Sequence, residues 1–393
     1  MTWPRVLIAG GSIGGLTAAV LLGDLGCEVD VFERSGAALE DRGAGIVVLP
    51  VTERYFTERV GDEGRVSLEL TYWTYVDQQG NVLSADPDHF RFSGWATIYR
   101  ALLDAFGPER YHLGHEMIGF DSREDGVNVH FANGASAEGD LLVCADGLHS
   151  TARSLLLPEA QPEYAGYVAW RGTIPEASLS RRAQADLADS MIYQVLDPGH
   201  ILVYAIPDDE GRTSPPHRAI NWVWYRNYPR GGPFEDLMLD RDGVQRNGTL
   251  PPGMVRDQHL DEMRSTAEQV LAPTLLEVVM GCEYPLIQAV FDLESTRMAF
   301  GRACLVGDAA AGLRPHVAAG QAKACADAWA LRDALLESNA DIETALAVWE
   351  PAQLALANQA LARTRKMGVA SQFDRTMVPG DPEWKFGLWG PGN

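Results

Sequence analysis

Arg5-Val-Leu-Ile-Ala-Gly-Gly-Ser-Ile-Gly-Gly-Leu-Thr-Ala-Ala-Val-Leu-Leu22, closed by Val29-Asp-Val-Phe-Glu-Arg34, decides the fold of this 393-residue chain. Val6 to Ala9 form a short apolar run of the kind a buried parallel strand shows. Gly10, Gly11, Gly14 and Gly15 crowd the turn that follows, and Leu16 to Leu22 read as an apolar, alanine-rich helix. Cys27 to Phe32 form a second strand that ends in the acid Glu33, 23 positions after Gly10. Strand, glycine turn, helix, strand and acid make a βαβ unit suited to a dinucleotide. Glycine lets a pyrophosphate approach bare backbone, and the new helix offers it free N–H groups and a positive dipole end. In G-x-G-x-x-G register the positions are Gly10, Ser12 and Gly15, so a serine replaces the middle glycine, with Ile13 and Gly14 completing the turn. Glu33 stands where an acid accepts from an adenosine ribose hydroxyl; Arg34 beside it leaves the choice of dinucleotide open.

Working outward, composition narrows the class. The 54 acidic against 32 basic residues give a net charge of −22, which argues against nucleic acid or an anionic membrane as partner. Five cysteines (Cys27, Cys144, Cys282, Cys304, Cys325) are scattered, with no C-x-x-C pair. They suggest no metal site and fit a reducing cytoplasm. The start of the sequence shows no basic region with a cleavage site, and no uninterrupted apolar run reaches the ~20 residues a membrane helix needs. Self-association into a homo-oligomer is left open.

Two later stretches repeat the pattern of a core strand meeting an acid. Leu141 to Ala145 runs into Asp146-Gly147, with Ser150 and Arg153 opening the next helix. Asp146 is then either a ligand-binding acid at the carboxyl end of a parallel strand or an N-cap at a βα turn. Ala303 to Val306 meets Gly307-Asp308, and Pro315 to Gly320 prepares a long helix through Leu336. Three strand ends, at Gly10, Asp146 and Asp308, thus point to one edge of one sheet and to one extended ligand. Between them, Gly43-Ala-Gly45-Ile-Val-Val-Leu49 suggests backbone passing close to something flat. Arg65 to Asp77 alternates as a strand, Gln79-Gly80-Asn81 turns into a second short one, and Trp95 to Phe106 takes helical spacing. Asp125-Gly126 and Asn133-Gly134 mark hairpins over 115–137. From 165 to 285 aromatics concentrate on alternating strands such as Ile201–Ile206 and Ala219–Tyr225, which suggests an inserted, mostly antiparallel sheet. Ile342 to Lys366 reads as a helix interrupted at Pro351, and the tail from Val378 as extended.

Together these stretches resemble the class A flavoprotein aromatic hydroxylases, the para-hydroxybenzoate hydroxylase superfamily. Gly10 to Gly15 resembles its ADP-binding motif. Asp146-Gly147 with Ser150 and Arg153 resembles its Asp-Gly motif, and Gly307-Asp308 its Gly-Asp motif, whose acid serves the FAD ribitol or ribose. Tyr164 to Gly172, Phe106 to His112 and Arg314 to Gly320 look most like the pyridine-ring hydroxylases of that family. Ser12 departs from the pattern, and Ala322 stands where the family has an asparagine near the flavin ring.

The resemblance implies an α/β fold: a Rossmann-like FAD-binding domain with a parallel sheet, plus an inserted antiparallel substrate domain. The ranges expected are 1–70, 95–165 and 286–370 for the first, 71–94 and 166–285 for the second, and 371–393 for a tail. It implies bound FAD, transient NADH or NADPH, and O2 and a small aromatic substrate, joined through a flavin C4a-hydroperoxide that hydroxylates an electron-rich ring. Cofactor contacts would come from Gly10, Gly11, Ser12, Ile13, Gly14, Gly15, Glu33, Arg34, Gly45, Val47, Asp146, Asp308, Pro315 and Gly320. Arg42 and Arg100 lie near positions where members direct arginines at the FAD phosphates. The flavin ring would lie between Gly45–Val48 and Arg314–His316. His316 is the first candidate for a polar group at the reacting end, since imidazole relays protons near neutral pH; alternatively it bonds backbone at the helix start. Arg314 and Tyr204 join it as catalytic candidates. Trp222, Tyr193 and Arg171 are candidates for substrate contact, Arg171 holding a ring oxyanion or simply a salt bridge.

Three other readings compete. A dehydrogenase would use only the first βαβ unit. A flavin halogenase would carry W-x-W-x-I-P, but Trp222-Val-Trp224 continues as Tyr225-Arg226. A flavin-dependent oxidoreductase or sequestration protein would not hydroxylate a ring at all.

Overall fold

The computed structural model describes residues 2–39, 44–61 and 66–393. Its first sheet has six strands, in the order Ala299–Phe300, Ala303–Leu305, Leu141–Cys144, Arg5–Ala9, Glu28–Glu33 and Tyr111–Leu113. All neighbours are parallel except the edge strand Ala299–Phe300. The first strand is central and fully apolar on both faces: Val6, Leu7 and Ile8 are completely buried. The helix Ile13–Leu25 is buried nearly all round, because it lies between this sheet and the helix Gly320–Glu337. That explains its lack of a polar stripe.

The second sheet has nine strands: Thr249–Leu250, Leu286–Asp292, Glu163–Pro175, Ala219–Asn227, His200–Ile206, Ser190–Val195, Leu68–Val76, Val82–Gly94 and Gly45–Val48. It is antiparallel but for one pairing, between Ser190–Val195 and Leu68–Val76. It curls: although Gly45–Val48 is an edge strand, the Gly45 amide donates to the Asn221 side chain at 2.7 Å. The Gly45 carbonyl accepts from Arg171 at 2.6 Å. A third, small sheet holds Met117–Ser122, Val127–Phe131 and Ser136–Gly139. The limits expected for the two domains therefore divide strands that share one sheet: Gly45–Val48 and Leu286–Asp292 hydrogen-bond into the antiparallel sheet.

Three local expectations differ from the structure. The strand after Gly80 is long, Val82–Gly94. The helix Ile342–Val369 runs through Pro351 unbroken. Pro351 and Ala347 are both exposed, so the carbonyl that proline leaves unbonded faces solvent. The tail is not extended: a short turn at Pro382–Trp384 leads into buried Trp384, Phe386 and Leu388. No described helix is long and apolar enough to cross a membrane.

Candidate active site

The glycine turn is tight for reasons of packing. Gly10 has φ +103°, and a β-carbon there would meet the Ala145 carbonyl oxygen at 2.2 Å. A β-carbon on Gly15 would meet the Gly10 carbonyl at 1.9 Å. Ser12 stands at the helix N-cap but its hydroxyl makes no capping bond, so the first-turn amides stay open to the cavity in front of them. Glu33 ties the turn to its own strand, accepting from the Gly11 amide and the Ser35 amide at 2.9 Å each.

The other two strand ends are held against this turn. Asp146 accepts from the Ala152 amide at 3.2 Å, while Ser150 supplies the cap of helix Thr151–Leu156. The second carboxylate oxygen of Asp146 is buried without a protein partner, and burial pushes the group above the usual carboxylate range. Arg153, completely enclosed, bridges the two acidic turns by donating to the carbonyls of Leu148 and Ala309 at 2.6 and 3.0 Å. Asp327 accepts from the Gly307 amide at 2.8 Å and from buried Lys323 at 2.7 Å. The Ala324 methyl separates the two glycine turns: β-carbons on Gly14 and Gly307 would each meet it at 2.9 Å. Asp308 itself is exposed to the cavity although protein surrounds it; burial raises its carboxyl, with Lys323 opposing.

Two adjoining cavities of about 210 and 360 Å³ share the lining residues Ser12, Trp95, Ala145 and Gly147. The smaller holds Glu33, Arg34 and Asp146. The larger runs from Gly14, Asp308 and Gly320 past Gly45, Val47 and Pro315 to an aromatic end built by the antiparallel sheet. There His316 has its Nε2 2.6 Å from the Tyr167 hydroxyl, and its Nδ1 is buried without a partner. Burial, and next the Arg314 cation, push its pKa down to about 3. The expected relay of protons near neutral pH therefore has to be corrected: this imidazole stays neutral there. Arg314 does not line the cavity; it forms a bidentate ion pair with Asp292 at 2.8 and 2.7 Å, behind Tyr167. Tyr204 does line it, its phenol pushed up to about 12 by burial with Arg171 opposing. Arg171 also lines it, donating to Gln288 and to Gly45 while its Nε has no partner. Tyr193 lines the same end, stacked on His200 at 4.9 Å.

Trp222 does not. Tyr204 pairs with Asn221 across the sheet and Trp222 with Val203, so the two expected contacts lie on opposite faces. Trp222 is fully buried on the far side, against Gly172 and Cys282. Arg100 points elsewhere too, donating to the Asp209 carbonyl at 3.1 Å. Arg42 lies outside the described residues. Sequence reasoning missed several groups at the cavity, among them His200, Tyr225, Gln321 and Phe386. His200 follows Pro198-Gly199 in what reads as a turn, and its Nδ1 is 2.5 Å from the Ser371 hydroxyl, leaving Nε2 for the cavity. Gln321, next to Ala322, has both amide atoms buried without a protein partner.

The chain is similar to known proteins over almost its whole length. It is 35% identical over 388 residues to 2,6-dihydroxypyridine 3-monooxygenase of Paenarthrobacter nicotinovorans, covering 98% of this chain and 96% of that one. The chain belongs to the class A flavoprotein aromatic hydroxylases. The structure of 2,6-dihydroxypyridine-3-hydroxylase from Arthrobacter nicotinovorans superposes on this hydroxylase with a TM-score of 0.92 at 34% identity, covering 98% and 97% of the two chains. 6-Hydroxynicotinate 3-monooxygenase of Pseudomonas fluorescens is 26% identical over 98% of the chain and 94% of its own length. A family model described as FAD binding domain-like matches residues 164–292. The hydroxylase is thus an FAD-dependent monooxygenase that uses NAD(P)H and O2 on aromatic substrates. The cavities fit FAD: two adjoining chambers leave room for a long ligand, the helix N-terminus at Ser12 is open to an anion, and buried atoms of Asp146 and Gln321 have no protein partner.

Proposed function

We propose that this hydroxylase inserts one oxygen atom into a single-ring hydroxypyridine carrying an ionisable ring hydroxyl. The observation that carries the reading is the composition of the aromatic end. Two neutral imidazoles, His316 and His200, and the un-ionised phenol of Tyr204 face a cavity whose one lining guanidinium, among the described residues, is Arg171. Such a site favours a flat polar ring that bears negative charge on oxygen. The names of the two hydroxypyridine and hydroxynicotinate relatives support the same substrate class.

FAD, when bound, supplies the redox chemistry, taking reducing equivalents from NADH or NADPH and activating O2. Gly10 to Gly15, Glu33, Arg34, Asp146 and Asp308 would hold its adenosine, pyrophosphate and ribityl parts. Gly45, Val47, Pro315 and Gly320 would flank its ring. The protein's own residues do the rest. The Arg314 cation stands beside the Tyr167 oxygen, so the Tyr167 hydroxyl turns its proton to His316 Nε2. His316 then carries its own proton on Nδ1 and offers it to a substrate oxygen. The Ser371 hydroxyl at His200 Nδ1 leaves His200 Nε2 facing the cavity to accept from the ring hydroxyl. A ring that binds already ionised, with no proton passed to either neutral imidazole, is favoured by the field of the half-buried Arg171 cation. Val47, Leu202, Val223 and Leu313 keep water from the reacting ring. The five unpaired, buried cysteines suit a reducing compartment such as the cytoplasm.

Purified protein should be yellow, and mono- and dihydroxypyridines should drive NADH or NADPH oxidation with a product heavier by one oxygen. Cofactor oxidation with no oxygenated product across the series would defeat the hydroxylation reading and favour a flavoprotein without ring chemistry.

A further inference from the structure

The tail, which carries no cofactor motif, reaches the aromatic end of the larger cavity. Phe386 lines it and is only 4% exposed, its ring packed at a tilt against Trp73 at 4.5 Å and Phe90 at 5.3 Å. Its neighbours fix it on every side. The Gly387 amide donates to the Val317 carbonyl at 3.0 Å, one residue from His316. Arg363 donates to the Gly387 carbonyl at 2.7 Å, and Lys385 pairs with Asp88 at 3.0 Å. Beyond it the backbone turns back, with the Gly392 amide donating to the Phe386 carbonyl at 2.7 Å. A ring clamped by so many bonds to fixed elements is a wall and not a mobile cover.

We propose that Phe386 sets the size of ring this hydroxylase accepts, closing the cavity to fused two-ring substrates. The inference rests on the single-ring reading above. Tyr193 and His200, strand residues that line the same end, are stacked on each other and held in the sheet. Removing the Phe386 ring therefore opens room for a second ring on the tail side.

The test uses FAD-loaded enzyme and follows ligand binding through the flavin absorbance. Two pairs are compared: a hydroxypyridine with a hydroxyquinoline, and phenol with naphthol. Phe386→Ala should raise the affinity for the two-ring member relative to its one-ring partner about tenfold or more, and Phe386→Leu should raise it by a smaller factor. Phe386→Trp should weaken even the one-ring ligand. Retained yellow FAD reports that a variant has folded, and Phe386→Leu serves if Phe386→Ala does not. An unchanged ratio in folded variants overturns the wall. Loss of the pyridine pair alone, with the phenol pair shifting as described, would instead sink the hydroxypyridine assignment and leave the wall standing.

Discussion

His316 carries the most specific expectations at the residue scale. Replacing it with asparagine removes the Nε2 acceptor of the Tyr167 hydroxyl, and with it the contact that fixes the proton on the cavity side of the ring, and kcat should fall about 10²-fold. The FAD dissociation constant should stay within about threefold, because His316 stands at the aromatic end of the larger cavity and the Ser12 turn at its other end; a flavin titration beside steady-state kinetics reads both. With its pKa near 3, this imidazole contributes no limb near pH 6.5 to the kcat profile, and a profile of His316→Asn should keep the parent's shape. Trp222 makes the opposite case. Trp222→Phe should leave substrate affinity within about twofold yet lower unfolding free energy by ~1–3 kcal/mol, measured by urea denaturation, because the ring packs a core away from the cavity.

The three acidic or glycine-rich strand ends matter as elements. A β-carbon at Gly10 collides with the Ala145 carbonyl and demands φ +103°, so Gly10→Ala should release FAD on gel filtration and destabilise by more than ~1 kcal/mol. Asp327→Asn leaves the buried Lys323 ammonium without its carboxylate; a loss of ~3–5 kcal/mol in chemical denaturation is expected. These elements were legible in the sequence because their signals are local: an apolar run, then glycine or acid, within a dozen residues. The faces of the antiparallel sheet were not. Tyr204 and Trp222 both read as inward aromatics, and only the pairing of Tyr204 with Asn221 sends them to opposite sides. Pro351 was misleading because its cost depends on whether the freed carbonyl reaches water. The tail's partners, Trp73, Phe90 and Val317, lie too far along the chain for any spacing to reveal, and Arg100 could be assigned to its helix but not to the Asp209 carbonyl it bonds.

At the scale of the whole molecule, the buried imidazoles couple folding to acidity. His316 has its pKa lowered from 6.5 to about 3 by burial and Arg314, and burial lowers His200 as well. The unfolded chain takes these protons as pH falls through about 6.5, while the folded chain refuses them. The His316 contribution is therefore complete above about pH 6.5 and drains away towards pH 3, at up to ~1.4 kcal/mol per pH unit, and His200 adds a loss of the same sign below about pH 6.5. Denaturation at pH 7 and pH 5 should differ by ~2 kcal/mol from His316 alone. His316→Asn should shrink that gap; an equal gap in the variant would mean that other groups set the acid limit.

The order of strands in the parallel sheet also constrains how the protein is born. Arg5–Ala9 is made before both of its later partners, sits in the middle and awaits Leu141–Cys144, which in turn awaits Ala303–Leu305. At ordinary translation speeds, roughly half a minute separates the first of these from the last. For that interval the nascent chain carries a greasy, half-paired edge, a natural client for a chaperone. On the proposed role of Asp308, the vitamin-derived prosthetic group would be fully gripped only once that turn has cleared the exit tunnel.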